Sequence, residues 1–398
     1  MEPYFDESQD SLTVEEDNEY RVRYEERQRI RRERQRHMQK KRMIKRFLFL
    51  GVFAIGIILI GIAIKSGRKS GAEENLPKEQ ETAAVKLPDG LKIEEITERL
   101  PEENPTEAES TEPGTEDART QAEPEKYRFE ETKNTAVIDS EDVISTQAIL
   151  VDESTDTIVA ARGSSERIIP ASMTKVLTIL VAAEHIPEEK LDDTFTMTRE
   201  ITDYAYVNDC SCVGFLDGEK VPIRDLFYGT AMQSGGDAAL GLAVYVSGSQ
   251  EDFVGLMNQK LEELGIAGST NFTNCVGLYD ENHYSTVYDM AVIMKAAMQN
   301  ELCRDFLSKH VYTTKPTEEH PDGIEISNWF LRRIEDKDTG GEVLCAKTGY
   351  IVQSKNCAVS YGTFTGGTPF ICVTAGSTSS WRCIYDHVEI YNRYVPSE

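Results

Sequence analysis

The chain has 398 residues, a formal net charge of −26 and 39% hydrophobic residues, unevenly spread. A basic N-terminal stretch and an acidic one after it are hidden in the average, so the parts are read separately. Its six histidines form no His-Glu-x-x-His, and no pair of Cys-x-x-Cys knuckles occurs, so neither a metal site nor any other cofactor is expected.

Residues 1–46 read as a basic cytoplasmic tail, with Arg31, Arg32, Arg34, Arg36, Lys40, Lys41, Arg42, Lys45 and Arg46 crowding its end. The apolar run Phe47–Ile64 follows without a charge. At helical rise it spans roughly 27 Å, enough for a bilayer core. A signal peptide is the competing reading, but the preceding region is long and Ile64-Lys65-Ser66-Gly67 is a poor cleavage context. An uncleaved transmembrane helix over 47–64 is the expectation. Only Lys65, Arg68 and Lys69 follow closely, so the positive-inside rule puts the N-terminus in the cytoplasm and the rest outside. Topology accounts for the basic run without a nucleic-acid partner.

Residues 65–135 are rich in Glu, Pro and Thr and poor in aromatics. They read as an acidic, disordered linker with a reach of roughly 45 Å or more. Residues 136–398 are long enough for one cored domain. It opens with strand-like runs at Gln147–Val151 and Thr157–Ala161, and Pro170 precedes a helix expected over Ser172–Ala183. Ser249-Gln250-Glu251-Asp252 looks like a capped start, followed by Phe253, Leu256, Met257, Leu261 and Leu264 at helical spacing, with Gly265 closing the turn. A further helix is expected at Ser285–Met298 and a final one at Arg382–Tyr394. Between them lie β-like runs at Glu342–Tyr350, Asn356–Phe364 and Pro369–Ala375, the last two joined by a Gly366-Gly367 turn. Strands at both ends with helices between predict an α+β fold built on an antiparallel sheet. All eight cysteines lie between Cys210 and Cys383. Several read as buried small hydrophobes, although an exported domain also allows disulfides.

Three short motifs carry the chemistry. Ser172-Met173-Thr174-Lys175 places a serine and a lysine on one helical face. At a helix N-terminus, with a second lysine nearby, the ammonium is disfavoured, and the amine can act as a base towards the serine hydroxyl. Alone the pattern is cheap: Ser-x-x-Lys is expected about once by chance in such a chain, and a second copy does run from Ser66 to Lys69. Lys347-Thr348-Gly349 is rarer. It offers a cation and a hydroxyl for a substrate carboxylate, and its Gly349 is expected to let a substrate backbone approach the strand edge. Ser234-Gly235-Gly236 stands between them.

With these motifs the domain resembles the penicillin-binding D-alanyl-D-alanine carboxypeptidases of the serine β-lactamase and DD-peptidase superfamily. The likeness also takes in Gly218-Glu219-Lys220-Val221, Phe253 to Gly265, Phe272–Leu278 and His283-Tyr284-Ser285-Thr286, and covers about Ala148 to Tyr391. The resemblance implies an acyl-enzyme mechanism. Ser172 would attack the carbonyl between two terminal D-alanines with Lys175 as base, and Ser234 would relay a proton to the leaving D-alanine. Lys347 and Thr348 would hold the terminal carboxylate, and the backbone N–H groups of Ser172 and Tyr350 would form the oxyanion hole. It implies a bacterial membrane location with the catalytic domain outside, peptidoglycan stem peptides as substrate and β-lactams as covalent inhibitors.

One position departs. The family's middle motif is usually Ser-x-Asn, and here Gly236 takes the third place. The missing amide would normally bond the substrate's peptide carbonyl and the lysine, so Gly236→Asn is expected to speed acylation. Neither the family's appended β-rich domain nor its C-terminal amphipathic membrane helix is expected after Arg382–Tyr394, and the N-terminal anchor is expected to take over the attachment. Two other readings share these residues. A class A-like β-lactamase would need a Glu-x-x-x-Asn loop, absent between Ser234 and Lys347. A non-catalytic penicillin-binding or sensor module would follow if Gly236 marked decay.

Overall fold

The structure, a computed structural model, describes residues 127–396. The expected tail and transmembrane helix, and most of the expected linker, lie outside the described residues. Among the described residues no helix is long and apolar enough to cross a membrane.

A six-stranded sheet organises the domain. Its strands in chain order are β1 (Glu130–Val137), β2 (Gln147–Asp152), β3 (Thr157–Arg162), β8 (Glu342–Ile351), β9 (Lys355–Phe364) and β10 (Thr368–Ser377), arranged β1-β3-β2-β10-β9-β8. The labels β4 (Thr194–Thr196), β5 (Lys220–Pro222), β6 (Val311–Thr313) and β7 (Glu325–Ser327) belong to two small ribbons beside it. The three strands that close the sequence meander through tight turns, and β10 returns to pair with β2. The sheet is not wholly antiparallel as expected: β1 runs parallel to β3 at one edge. Composition alone assigns residues 130–135 to the linker, and the structure corrects this. They carry no apolar side chains and all but the half-buried Thr135 are exposed, so they show no strand alternation; β1 joins the sheet by its backbone. Phe129, buried just ahead of it, packs edge-on against Tyr288, whose hydroxyl accepts the Phe129 N–H at 3.0 Å.

Both faces of the sheet are covered. In β2, Ile149 and Val151 join one apolar cluster while Ala148 and Leu150 join another, as the twofold alternation of a strand demands. The final helix, Ser380–Tyr394, lies on the second face with Ile390 and Tyr391. The larger helical layer on the first face contains α1 (Lys175–His185), α2 (Arg199–Val207), α3 (Ile223–Met232), α4 (Gly236–Ser247), α5 (Gln250–Glu263) and α6 (Val287–Gln299). The cap expected at Ser249 is made, accepting the Asp252 N–H ahead of α5, and Thr286 likewise accepts the Asp289 N–H ahead of α6. The site lies where this layer meets β8, the sheet's other edge.

Candidate active site

Ser172 does not sit on an α-helix. It lies in a 3-10 turn, Ala171–Thr174, and the α-helix starts at Lys175. The tighter turn serves the pair better, because residues i and i+3 are eclipsed at three residues per turn. The Lys175 Nζ lies 3.1 Å from Ser172 Oγ. It also donates to the Val276 carbonyl at 2.7 Å. Lys175 is 2% exposed, and this burial holds its pKa below the ordinary lysine value.

Ser234 lies between α3 and α4 with φ at +57°, and Ala171 before the serine turn has φ at +46°. Both are left-handed conformations that cost a non-glycine residue free energy and need a surrounding structure to hold them. Lys347 Nζ donates to Ser234 Oγ at 2.9 Å and to the Thr348 carbonyl at 2.9 Å. Lys347 is also 2% exposed. Burial, with the Lys175 charge second, pushes its pKa well below the usual range. Ser172, Lys175, Ser234 and Lys347 therefore meet in one place, from three segments far apart in sequence. Thr348 and Gly349 follow on the same edge strand, and Tyr350 beyond them is 61% exposed.

Gly349 has a packing reason as well as the one expected. A Cβ there would meet the Cys357 Sγ and the Pro170 carbonyl at 2.8 Å and the Ser172 nitrogen at 3.0 Å. The chain's own serine turn is enough by itself to demand the glycine. Cys357, buried in β9, points at the same turn, with its Sγ 3.4 Å from the Pro170 carbonyl. Gly236, at the place of the family's asparagine, opens α4 and is filled from outside: a Cβ on it would stand 2.7 Å from the Cβ of Cys210. A side chain at residue 236 would first have to displace Cys210, which weighs against the expected gain from Gly236→Asn.

None of the three motifs includes the segment that closes the site from below. Asn274 Oδ1 accepts the N–H groups of Val276, Gly277 and Leu278 at 3.2, 2.7 and 2.9 Å, shaping a turn that presents the Val276 carbonyl to Lys175. His283 fastens this turn to the nucleophile. Its Nδ1 accepts the Thr273 N–H at 3.1 Å, which leaves Nε2 to donate to Thr174 Oγ1 at 2.8 Å. Burial lowers the His283 pKa to about 4, so the ring is neutral. The one signal of Asn274 and His283 in the sequence is that both fall within the family-like stretches. Beside the turn, a cleft of about 400 Å³ is lined by residues that include Tyr204, Asn208, Gln250, Asn274 and Asp280.

No disulfide joins the cysteines; six of the eight are buried, and Cys210 and Cys212 are half-buried. Among the described residues no cluster of three His, Cys, Asp or Glu side chains is placed to hold a metal ion.

Comparisons with known proteins bear on the family and the fold. The family described as D-alanyl-D-alanine carboxypeptidase matches residues 132–379. The D-alanyl-D-alanine carboxypeptidase DacF of Bacillus subtilis is 30% identical over 210 residues, 53% of this chain and 52% of that protein. The DacC carboxypeptidase of Escherichia coli is 36% identical over 156 residues, 38% of this chain and 39% of that protein. The chain thus spans about half or less of the length of these two relatives. The crystal structure of the Streptomyces K15 DD-transpeptidase superposes with a TM-score of 0.57 at 26% identity, covering 63% of this chain and 97% of that one. With a match over well more than half its length, the chain belongs to the D-alanyl-D-alanine carboxypeptidase family.

Proposed function

We propose that this protein is a membrane-anchored serine-type D-alanyl-D-alanine carboxypeptidase that removes the terminal D-alanine from peptidoglycan stem pentapeptides through an acyl-serine intermediate. The observation that carries the reading is the Lys175–Ser172 contact, made by a lysine whose burial favours the uncharged amine. An uncharged Nζ accepts the hydroxyl proton across that 3.1 Å contact. The Ser172 oxygen then attacks the carbonyl between the two D-alanines, and the developing oxyanion lies between the backbone N–H groups of Ser172 and Tyr350. Ser234, bonded to Lys347, passes a proton to the departing amine. Lys347 and Thr348 hold the terminal carboxylate, whose arrival restores the Lys347 charge. Water then releases the shortened peptide, and β-lactams stop at the acyl stage.

The N-terminal anchor is supported by the uninterrupted apolar run Phe47–Ile64 and its basic flank. It would place residues 1–46 in the cytoplasm and the catalytic domain outside, beyond an acidic linker that the strand at Glu130–Val137 now shortens. Gly236 favours a second reading, a penicillin-binding module with weakened turnover.

A labelled penicillin added to the full chain and to Ser172→Ala tests these together. Label on the parent and none on the variant is the expected result, with D-alanine released from a pentapeptide. Label on the variant would refute the nucleophile. Stable label without D-alanine release would favour the module, and rapid loss of label a β-lactamase.

A further inference from the structure

Residues 210–214 form a short wall against the start of α4. The Cys210 N–H donates to the Ala205 carbonyl at 2.9 Å, closing α2. The Gly236 N–H donates to the Ser211 carbonyl at 2.7 Å. The buried Asp237 carboxylate accepts the N–H groups of Val213 at 3.0 Å and Gly214 at 2.9 Å. These bonds leave the wall little freedom to retreat. A side chain on residue 236 would meet it at once, with its Cβ 2.7 Å from Cys210 Cβ and 3.1 Å from Cys210 Sγ. The tightest of these contacts is to a Cβ, which moves only with its backbone, not to the tip of a flexible chain.

Gly236 and Cys210 are therefore a matched pair, in which the space a side chain on residue 236 would enter, two residues from Ser234, is taken by Cys210. The thiol also lies within electrostatic reach of the reacting lysine. Among the groups that act on Lys175, Cys210 is the one that most favours its charged form, and Lys175 in turn most favours the Cys210 thiolate, against the burial that pushes that thiol up.

We propose that Cys210 is a specificity-determining residue of this site, a thiol standing where the family's usual amide would reach, and that it opens the site to inactivation by thiol modification. The proposal rests on the acyl-serine reading. A thiol is a weak donor and a weak acceptor, so it cannot grip a substrate peptide carbonyl as an amide does. A group added to the sulfur would have to find room beside Gly236, at the start of the helix that follows Ser234.

The test uses the full chain carrying Cys212→Ser, which removes the other half-buried thiol, and methyl methanethiosulfonate as the probe. The Cys210 sulfur attacks the reagent's sulfenyl sulfur, methanesulfinate leaves with the bonding pair, the thiol proton goes to solvent, and Cys210 carries a methylthio group. The expected result is a tenfold or greater fall in the rate of penicillin acylation, no such fall when Cys210→Ala is treated, and slower modification once penicillin occupies Ser172. In parallel, Gly236→Asn is expected to lose acylation at least tenfold and to melt earlier, and Gly236→Asn with Cys210→Gly to recover both. Full methylthiolation of Cys210 with an unchanged acylation rate overturns the proposal, as does a Gly236→Asn variant that acylates like the parent or is not rescued by Cys210→Gly. If the untreated parent takes up no penicillin, the acyl-serine reading falls and the proposal with it; uptake indifferent to residue 210 sinks the proposal alone.

Discussion

Gly277 lies under the carbonyl of Ala171 so closely that a Cβ at residue 277 would stand 1.9 Å from that oxygen. Gly277 has φ at +78° and Ala171, on the other side of the contact, is itself left-handed at +46°. Two unusual backbones are pressed together here, and they bring the Val276 carbonyl to Lys175 and the serine turn to its place. Gly277→Ala has no side-chain tip to rotate away. It is expected to cost about 3 kcal/mol or more of stability and to abolish penicillin uptake. A variant that melts within a few degrees of the parent and acylates normally would show the contact to be soft.

Gly349→Ala strikes the same serine turn from the strand side. Its Cβ would press on Pro170 O and Ser172 N, at 2.8 and 3.0 Å. Gly349 has no positive φ, so the fold survives more readily than with Gly277→Ala. The expected effect is catalytic: a shift of the nucleophile by a fraction of an ångström, and acylation slower by about 100-fold with a small change in melting temperature. The ratio of the two effects is the measurement. A large melting shift with normal acylation of the folded fraction would contradict it.

Lys175 and Lys347 are both held below the ordinary lysine range, first by burial. Acid returns the proton to Lys175 and removes the base, so acylation is expected to rise with pH. The limb belongs to the coupled pair rather than to one lysine. Lys175→Arg, which cannot lose its proton, is expected to fall by at least about 1000-fold at every pH. Stopped-flow acylation across the neutral range checks both; a parent rate that falls as pH rises would contradict the assignment.

His283 predicts a pH effect on stability. Its pKa is about 4 in the fold against 6.5 for an imidazole free in water. Between those values the unfolded chain binds the proton and the native chain does not. Stability is therefore complete above the unfolded value and is lost as pH falls towards 4, by on the order of 3 kcal/mol from this group. His387, lowered to about 3 by burial, adds in the same direction. Buried Asp225, Asp289 and Asp386, raised by burial, act in the opposite direction. The difference between parent and His283→Gln isolates the histidine: the urea midpoint of the variant is expected to fall less between pH 7 and pH 5. Equal falls would show that His283 titrates normally.

Much of the fold is legible in the sequence. The strands at Gln147–Asp152 and Thr157–Arg162, the three closing strands, and the helices Gln250–Glu263 and Val287–Gln299 follow from apolar period, helped in the first helix by its cap Ser249. These are local signals, carried by neighbours within a turn or a strand. Ser172 with Lys175, and Lys347 with Thr348 and Gly349, can be named because each set is contiguous, and their likeness to one family joins them to Ser234. Tertiary structure decided the rest. It put Glu130–Val137 into the sheet through backbone bonds that leave no mark on side-chain pattern. It set Gly349 against Pro170 and Ser172, and Gly236 against Cys210, and it brought the Val276 carbonyl to Lys175 and His283 to Thr174. Those partners lie far apart along the chain, and contact at 3 Å between distant segments follows from how the layers pack, which no local periodicity encodes.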